Sequence, residues 1–399
     1  MSVDTMRFAS SITDEPDPIV AATTAVREIR ERLHGASCDV VFLFVSTLYR
    51  TAWDTILRHV QRELGDPLVL GCTGGGVLGV NRELEFAPAL ALEAAHLPRV
   101  QLHPFVVQPE ELLLPQDPGF WIEKVGANPA DEPAGILLPE PMTCDVPALV
   151  AALNTAYPKM PLVGGLASSA GDPSESALFL NDQIVSAGAV GVALTGDVIL
   201  QTIVSQGCRP IGRPYIVTQG EDNVIFELAS ATAVDVLRQV LLELSPEDQT
   251  LAQRALLIGL VMDERKPSFT RGDFLIRNLA GVDQATGALV IGDRVQVGQT
   301  IQFQLRDATA SRQDLQVLLD EQAGPLRAHP SAGALLFSCL GRGRDLYGEP
   351  DYDIRTIRKA IGDCPIAGFF CNGEIGPIAG RNFLHGFTSS LGLFRPRQG

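Results

Sequence analysis

The 399-residue sequence has no Cys-x-x-Cys pair, no His-Glu-x-x-His, no Walker lysine motif and no Gly-x-Ser-x-Gly, so no common metal, nucleotide or serine-hydrolase signature is written in it. Its seven cysteines (Cys38, Cys72, Cys144, Cys208, Cys339, Cys364 and Cys371) are odd in number and scattered. That pattern excludes a disulfide framework and a zinc ribbon, and it predicts free thiols in a reducing cytoplasm. The six histidines show no metal-ligand spacing. Positive charge is scarce, with 31 Lys and Arg against 47 Asp and Glu for a net charge of −16. A field of that sign opposes nucleic acid and anionic lipid surfaces, so neither is expected as a partner. No segment approaches the ~20 apolar residues needed to span a bilayer, and the acidic N-terminus lacks an apolar signal core.

What is present is a well-packed α/β chain with 46% hydrophobic residues and 38 Gly plus 27 Pro, a content of many tight turns and short strands. Asp17-Pro18 predicts a helix start, with Val26, Ile29 and Leu33 on one face. Asp39 to Thr47 reads as a buried strand, and Trp53, Ile56, Leu57, Val60 and Leu64 as the next helix. PLVLGCTGGGVLG then runs from strand into glycine loop. The same order returns at Ala134–Gly171 and Ala332–Gly376, each time followed by paired strand-like runs. The anchoring prolines Pro67, Pro161 and Pro365 lie 94 and 204 residues apart, so a degenerate fourth copy is expected around Arg254 to Glu264. Helices are expected after Ser230 and after Ser311, with Asp314 as a capping-box acid. The expected fold is α/β with two related halves of repeated β-α-β-loop-β-β units, helices on the outer sheet faces, and a cleft between glycine loops.

Gly74, Gly76 and Gly79 form a Gly-x-Gly-x-x-Gly after a strand, but the following residues lack a helix start, which argues against a dinucleotide site. The bare amides of Gly74, Gly75 and Gly76 instead suit a small anion. Ser168 and Ser169 occupy the second loop, and Cys371, Asn372 and Glu374 the third. Cys72 and Cys371 read either as reactive thiols near loop amides or as buried small hydrophobes. Arg381, Asn382 and His385 follow in NGEIGPIAGRNFLHGFTSS as ligand contacts, with His385 alternatively a satisfied structural imidazole.

The glycine loop with RELEFAPALAL, the segments SQGCRPIGRPYIVT and FLIRNLAGVDQATGAL, and above all GFFCNGEIGPIAGRNFLHGFTSSLGLF resemble the FIST family (F-box and intracellular signal transduction) over nearly the whole chain. With the helix at Asp17-Pro18 and the glycine and proline break near residue 205, the expected layout is a helical lead-in over residues 1–34, a FIST N-terminal domain over 35–204 and a FIST C-terminal domain over 205–399. The resemblance implies an intracellular sensory domain that binds a small ligand, such as an amino acid. Because the residues advertise no chemistry, the expectation is a bacterial-type, cytoplasmic, non-catalytic binder with no resident cofactor. Two alternatives stay open: a haem-based nitric oxide sensor with His385 as axial ligand, and an enzyme using Cys371 or His385 with Glu374. The chain leaves no room for a kinase, a cyclase or an F-box, so a separate signalling protein is the expected output partner.

Overall fold

The computed structural model describes residues 5–114, 117–172 and 175–397. The chain divides into two compact units, one comprising residues up to Val204, Gln316–Leu384 and Thr388 onward, the other Ser205–Leu315 with His385–Phe387.

The first unit repeats one path three times. The first copy runs β1 (Arg7–Thr13), α1 (Pro18–Leu33), β2 (Val40–Ser46), α2 (Trp53–Glu63), β3 (Leu68–Gly74), β4 (Gly76–Gly79), β5 (Arg82–Glu85) and β6 (Leu90–His96). The second runs β7 (Val100–Val107), α3 (Pro118–Val125), β8 (Ala134–Pro139), α4 (Val146–Ala156), β9 (Leu162–Gly165), β10 (Leu178–Leu180), β11 (Gln183–Val185) and β12 (Ala189–Gly196). The third opens with β13 (Ile199–Gln206) and is then interrupted by the whole second unit. That insertion contains β14 (Cys208–Pro210), β15 (Tyr215–Glu221), β16 (Val224–Leu228), β17 (Ala231–Thr232), α5 (Ala233–Leu242), α6 (Pro246–Ala255), β18 (Leu256–Val261), β19 (Phe274–Asp283), β20 (Ala288–Ile291) and β21 (Thr300–Arg306). The third copy resumes with α7 (Ala308–Ala328), β22 (Gly333–Cys339), α8 (Gly343–Tyr347), α9 (Tyr352–Ile361), β23 (Ile366–Cys371), β24 (Glu374–Ile378), β25 (Arg381–His385) and β26 (Thr388–Arg395).

Local sequence accounts for the ends of these elements. The Asp17 carboxylate accepts from the Ile19 and Val20 N–H groups at 2.8 and 3.0 Å, with Pro18 at the first helical position. β2, β8 and β22 are buried at every position because each has a covered face on both sides. In each copy the two strands that flank the helix pair in parallel: β2 with β3, β8 with β9, β22 with β23.

The short hairpin after each glycine loop does not join its own sheet. The sheet orders are β1-β6-β2-β3-β10-β11, β25-β24-β9-β8-β12-β7 and β13-β26-β22-β23-β4-β5. The first copy therefore lends β4–β5 to the third, the third lends β24–β25 to the second, and the second lends β10–β11 to the first, a closed cyclic exchange. The inner faces of the three sheets share one core, including Phe42, Phe44, Cys72, Ile136, Val192, Leu335, Phe337 and Phe369. Phe44 stacks on Phe369 at 5.1 Å between ring centroids.

The second unit is different in kind. Its strands are antiparallel, and β21-β15-β16-β20-β19-β18 closes through a β21–β18 pairing into a barrel. α5 packs on its apolar filling through Ala233, Val234, Val236, Leu237 and Val240.

Four expectations are corrected. The residues expected to form a fourth copy lie in this barrel, so the 204-residue gap reflects an insertion rather than two periods. The compact units divide the chain otherwise than domains of 35–204 and 205–399, because the chain returns to the first unit at Gln316. Residues 7–33 are no lead-in, since β1 pairs with β6 along its length and α1 packs on the first sheet. A helix follows Ser230 as expected, with α5 from Ala233, but the next helix does not begin at Ser311: α7 starts at Ala308, and Asp307 caps the Thr309 and Ala310 N–H groups. Asp314 accepts instead from the Ser205 hydroxyl and the Gln206 N–H, at 2.9 and 2.8 Å.

Candidate functional site

Among the described residues, the predicted loops and one pocket each gather polar groups. The first is the meeting point of the three glycine loops. Gly71, Gly164 and Gly368 are equivalent: each pairs with a leucine (Leu43, Leu137, Leu336) whose carbonyl oxygen would lie 2.0, 1.8 and 1.7 Å from an added Cβ. These glycines are needed for close backbone approach. The loops beyond them knit together. The Ser168 hydroxyl accepts from the Gly75 N–H at 2.9 Å and donates to the Phe370 carbonyl. The Ser168 N–H reaches the Thr73 carbonyl at 3.1 Å, Leu166 N–H the Gly373 carbonyl at 2.9 Å, and Asn372 N–H the Leu166 carbonyl at 3.1 Å.

Gly74, Gly75 and Gly76 are all buried, and an added Cβ at Gly75 would meet Leu340 Cδ2 at 2.7 Å and the Ser169 carbonyl at 2.8 Å. The Gly75 amide is thus spent on Ser168. β4 follows the glycines where a dinucleotide site would need a helix. Ser169 closes a local turn by donating to the Asp172 carbonyl at 2.6 Å, and the Asn372 side chain is exposed. Burial pushes the Cys72 and Cys371 thiols well above the usual range, which makes both poor nucleophiles. None of the seven cysteines is in a disulfide.

The threefold pattern identifies one departure. Pairing with equivalent residues places Val77, Leu178 and Glu374 at one shared position facing the core. Two copies put an apolar side chain there; the third puts a carboxyl. Burial holds the Glu374 carboxyl well above the usual range, with the Thr388 N–H, the Arg342 charge and the Cys339 thiol pulling back only in part. Its Oε2 accepts from the Thr388 N–H at 3.0 Å. At the same end of the third sheet, Arg342 is 1% exposed and bonds Asp353 through Nε at 2.8 Å and Nη2 at 3.0 Å. The Tyr347 hydroxyl bridges both partners, at 2.6 Å from Arg342 and 2.8 Å from Asp353. Burial works against the Arg342 charge, yet Asp353 and Tyr347 more than offset it and hold its pKa above the ordinary arginine value. Glu83 of β5 lies alongside; burial first, then the Asp353 charge, raises its carboxyl to about 8.

The terminal motif is divided. The Asn382 amide donates to the Met160 carbonyl and to Asn154 Oδ1, both at 2.9 Å, and its Oδ1 accepts from the Leu162 N–H at 2.9 Å. Every polar atom of that side chain is used to pin β25. Arg381 is exposed, with its guanidinium 5.7 Å from the Phe383 ring centroid, and forms no ion pair with Glu374. His385 is buried and begins the short stretch assigned to the second unit. The residues predicted as one ligand set are therefore a buried scaffold (Gly74, Gly75, Gly76, Ser168, Cys371, Glu374, Asn382, His385) and three more accessible positions (Ser169, Asn372, Arg381).

The second place lies in the second unit. A pocket of about 440 Å³ is lined by Gln253, Arg254, Ala255 and Leu256 from the end of α6 and start of β18, Asn278 and Leu279 from β19, Arg306 from the end of β21, and Phe387. Arg306 sits over the Phe387 ring at 5.6 Å. The Arg254 side chain is exposed and, among the described residues, makes neither hydrogen bond nor ion pair. Four separated stretches of sequence converge here, so no local spacing announced it. Arg342 was equally missed, although Arg342 and Arg344 in a glycine-rich turn directly after a buried strand were an available signal.

Residues 39–230 match the FIST N domain and residues 233–377 the FIST C domain. The chain belongs to the FIST family. FIST domains are sensory domains of signal transduction. An uncharacterized protein of Mycobacterium tuberculosis (strain ATCC 25618 / H37Rv) is 38% identical over 391 residues, covering 98% of this chain and 100% of its own. An uncharacterized protein of Mycobacterium bovis is 37% identical over 392 residues, covering 98% and 99%. Among solved structures, cyanuric acid hydrolase from A. caulinodans aligns over 98% of this chain and 100% of its own, at 7% identity and a TM-score of 0.38. Likeness at that level carries no functional argument. The FIST C match contains every pocket residue named above except Phe387. No helix among the described residues is long and apolar enough to cross a membrane.

Proposed function

We propose that this FIST protein is a sensory protein whose second unit binds a small anionic metabolite, such as an amino acid, without turning it over. One observation carries the reading: in a chain of net charge −16, Arg254 and Arg306 border one pocket, and among the described residues no carboxylate pairs with Arg254. An unneutralised cation at a concave site is a ready partner for a carboxylate, with Asn278 and Gln253 available as orienting hydrogen-bond groups and Phe387 as an apolar floor. The site needs no chemical step, and its ligand acts by favouring the conformation it binds best. The signal then passes to a separate signalling protein.

The test is calorimetric titration with a panel of amino acids and short carboxylates, compared with their uncharged amides. Binding of the acids only, weakened about tenfold to a hundredfold in Arg254→Gln and in Arg306→Gln, is the expected result. Equal binding of acids and amides, or acid binding indifferent to both substitutions, overturns the assignment.

A further inference from the structure

Beside the polar pocket runs a second cavity of about 390 Å³, lined by Arg238, Leu241 and Leu242 of α5 and by Gln249, Ala252 and Gln253 of α6. The two cavities share Ala252 and Gln253 in their linings, so they neighbour each other along α6. Their linings differ. One presents Arg254, Arg306 and Asn278; the other sets Leu241, Leu242 and Ala252 among Arg238, Gln249 and Gln253, with Leu242 left 79% exposed. Leucine held this far into solvent on a helix whose other face is buried in the barrel is an apolar surface without a protein partner in this chain.

We infer that the anion recognised by this FIST protein carries an aliphatic tail: the occupant reaching across the two neighbouring cavities is a medium-chain fatty acid or similar acyl carboxylate, its head group against Arg254 and Arg306 and its chain along Leu241, Leu242 and Ala252. The inference rests on the small-anion reading above and adds the ligand's chemical class. Charge selects the head, since an apolar groove ending at two arginines favours an anion over a neutral or cationic amphiphile. Burial of the tail supplies the affinity. Each methylene removed from water tightens binding about three- to fourfold, so an acid with six further methylenes gains several hundredfold or more if most of them are covered.

The experiment is isothermal titration of the full chain with butyrate, decanoate and decanol, each below its aggregation threshold, repeated with Leu242→Asp and Arg254→Gln. The expected result is decanoate at least ~100-fold tighter than butyrate and than decanol. Leu242→Asp should bring decanoate down to the butyrate level and leave butyrate unchanged, because residue 242 lines only the apolar cavity. Arg254→Gln should weaken both acids. Butyrate and decanoate binding equally, both sensitive to Arg254, would overturn the acyl inference and leave the small-anion reading standing. Neither acid binding would overturn both. Decanol matching decanoate would also overturn the inference, by removing the role of the head group. A dimer in sedimentation velocity that Leu242→Asp dissociates, with no decanoate binding, would assign the groove to a second copy of the chain instead.

Discussion

The loop junction of the first unit and the polar pocket of the second hold their charged groups on opposite terms. At the junction, Arg342 is sealed against Asp353 and Tyr347, Asn382 has no polar atom to spare, and Glu374 keeps a raised pKa in a core whose equivalent positions carry Val77 and Leu178. In the pocket, Arg254 stands in solvent beside an open volume and costs the fold little. Buried polar groups that are fully partnered hold a structure in one arrangement; exposed ones without partners are available to a ligand. The motif that looked most site-like in sequence is thus chiefly a fastening, and the plainer segment around residues 252–306 offers the accessible chemistry.

The sharpest way to break this contrast is Arg342→Ala. It strands the Asp353 carboxylate in the core, and about 3 to 5 kcal/mol of stability should be lost in chemical denaturation. A loss under 1 kcal/mol would show that the pair is not the fastening described. Glu83→Gln tests the same region by pH. The folded carboxyl titrates at about 8 and the unfolded one near 4.5, so the folded state holds the proton more tightly. The stability contributed by that protonated group is whole below pH 4.5 and is lost as pH rises through 8. The variant should gain on the wild type across that window, by on the order of 4 kcal/mol at pH 8, and the two should converge at pH 4. A difference independent of pH would count against the raised carboxyl. Asn382→Ala should cost about 1 to 3 kcal/mol by leaving the Met160 and Leu162 backbone groups without their partner, read from the urea midpoint. Arg381→Ala, one residue away, should stay within about 0.5 kcal/mol because its side chain is exposed. If Arg381 proved the costlier of the two, the division between fastening and surface would fail.

Much of the first unit was legible in advance. Pro67, Pro161 and Pro365 with their glycine loops mark equivalent strands, and the helical faces of α1, α2, α4 and α9 follow from apolar spacing. The hairpin exchange was not legible, because β4–β5, β10–β11 and β24–β25 have the same local pattern whichever sheet they join. Nor was the barrel. Its alternation resembles any paired strands, and only the β18–β21 contact across about 40 residues closes it.

By itself the sequence determined the element types, the threefold repeat, the free thiols and the family, since each depends on spacing within a few residues or on composition. Tertiary structure alone decided that Ser168 spends the Gly75 amide, that Asn382 is scaffold while Arg381 is surface, that Glu374 stands where its equivalents are apolar, and that Arg254, Asn278, Arg306 and Phe387 border one pocket. The physical reason is the same in each case. Whether a polar side chain is a fastening or a contact depends on which distant groups satisfy its hydrogen bonds and exclude water from it, and that is set by packing between segments far apart in the chain.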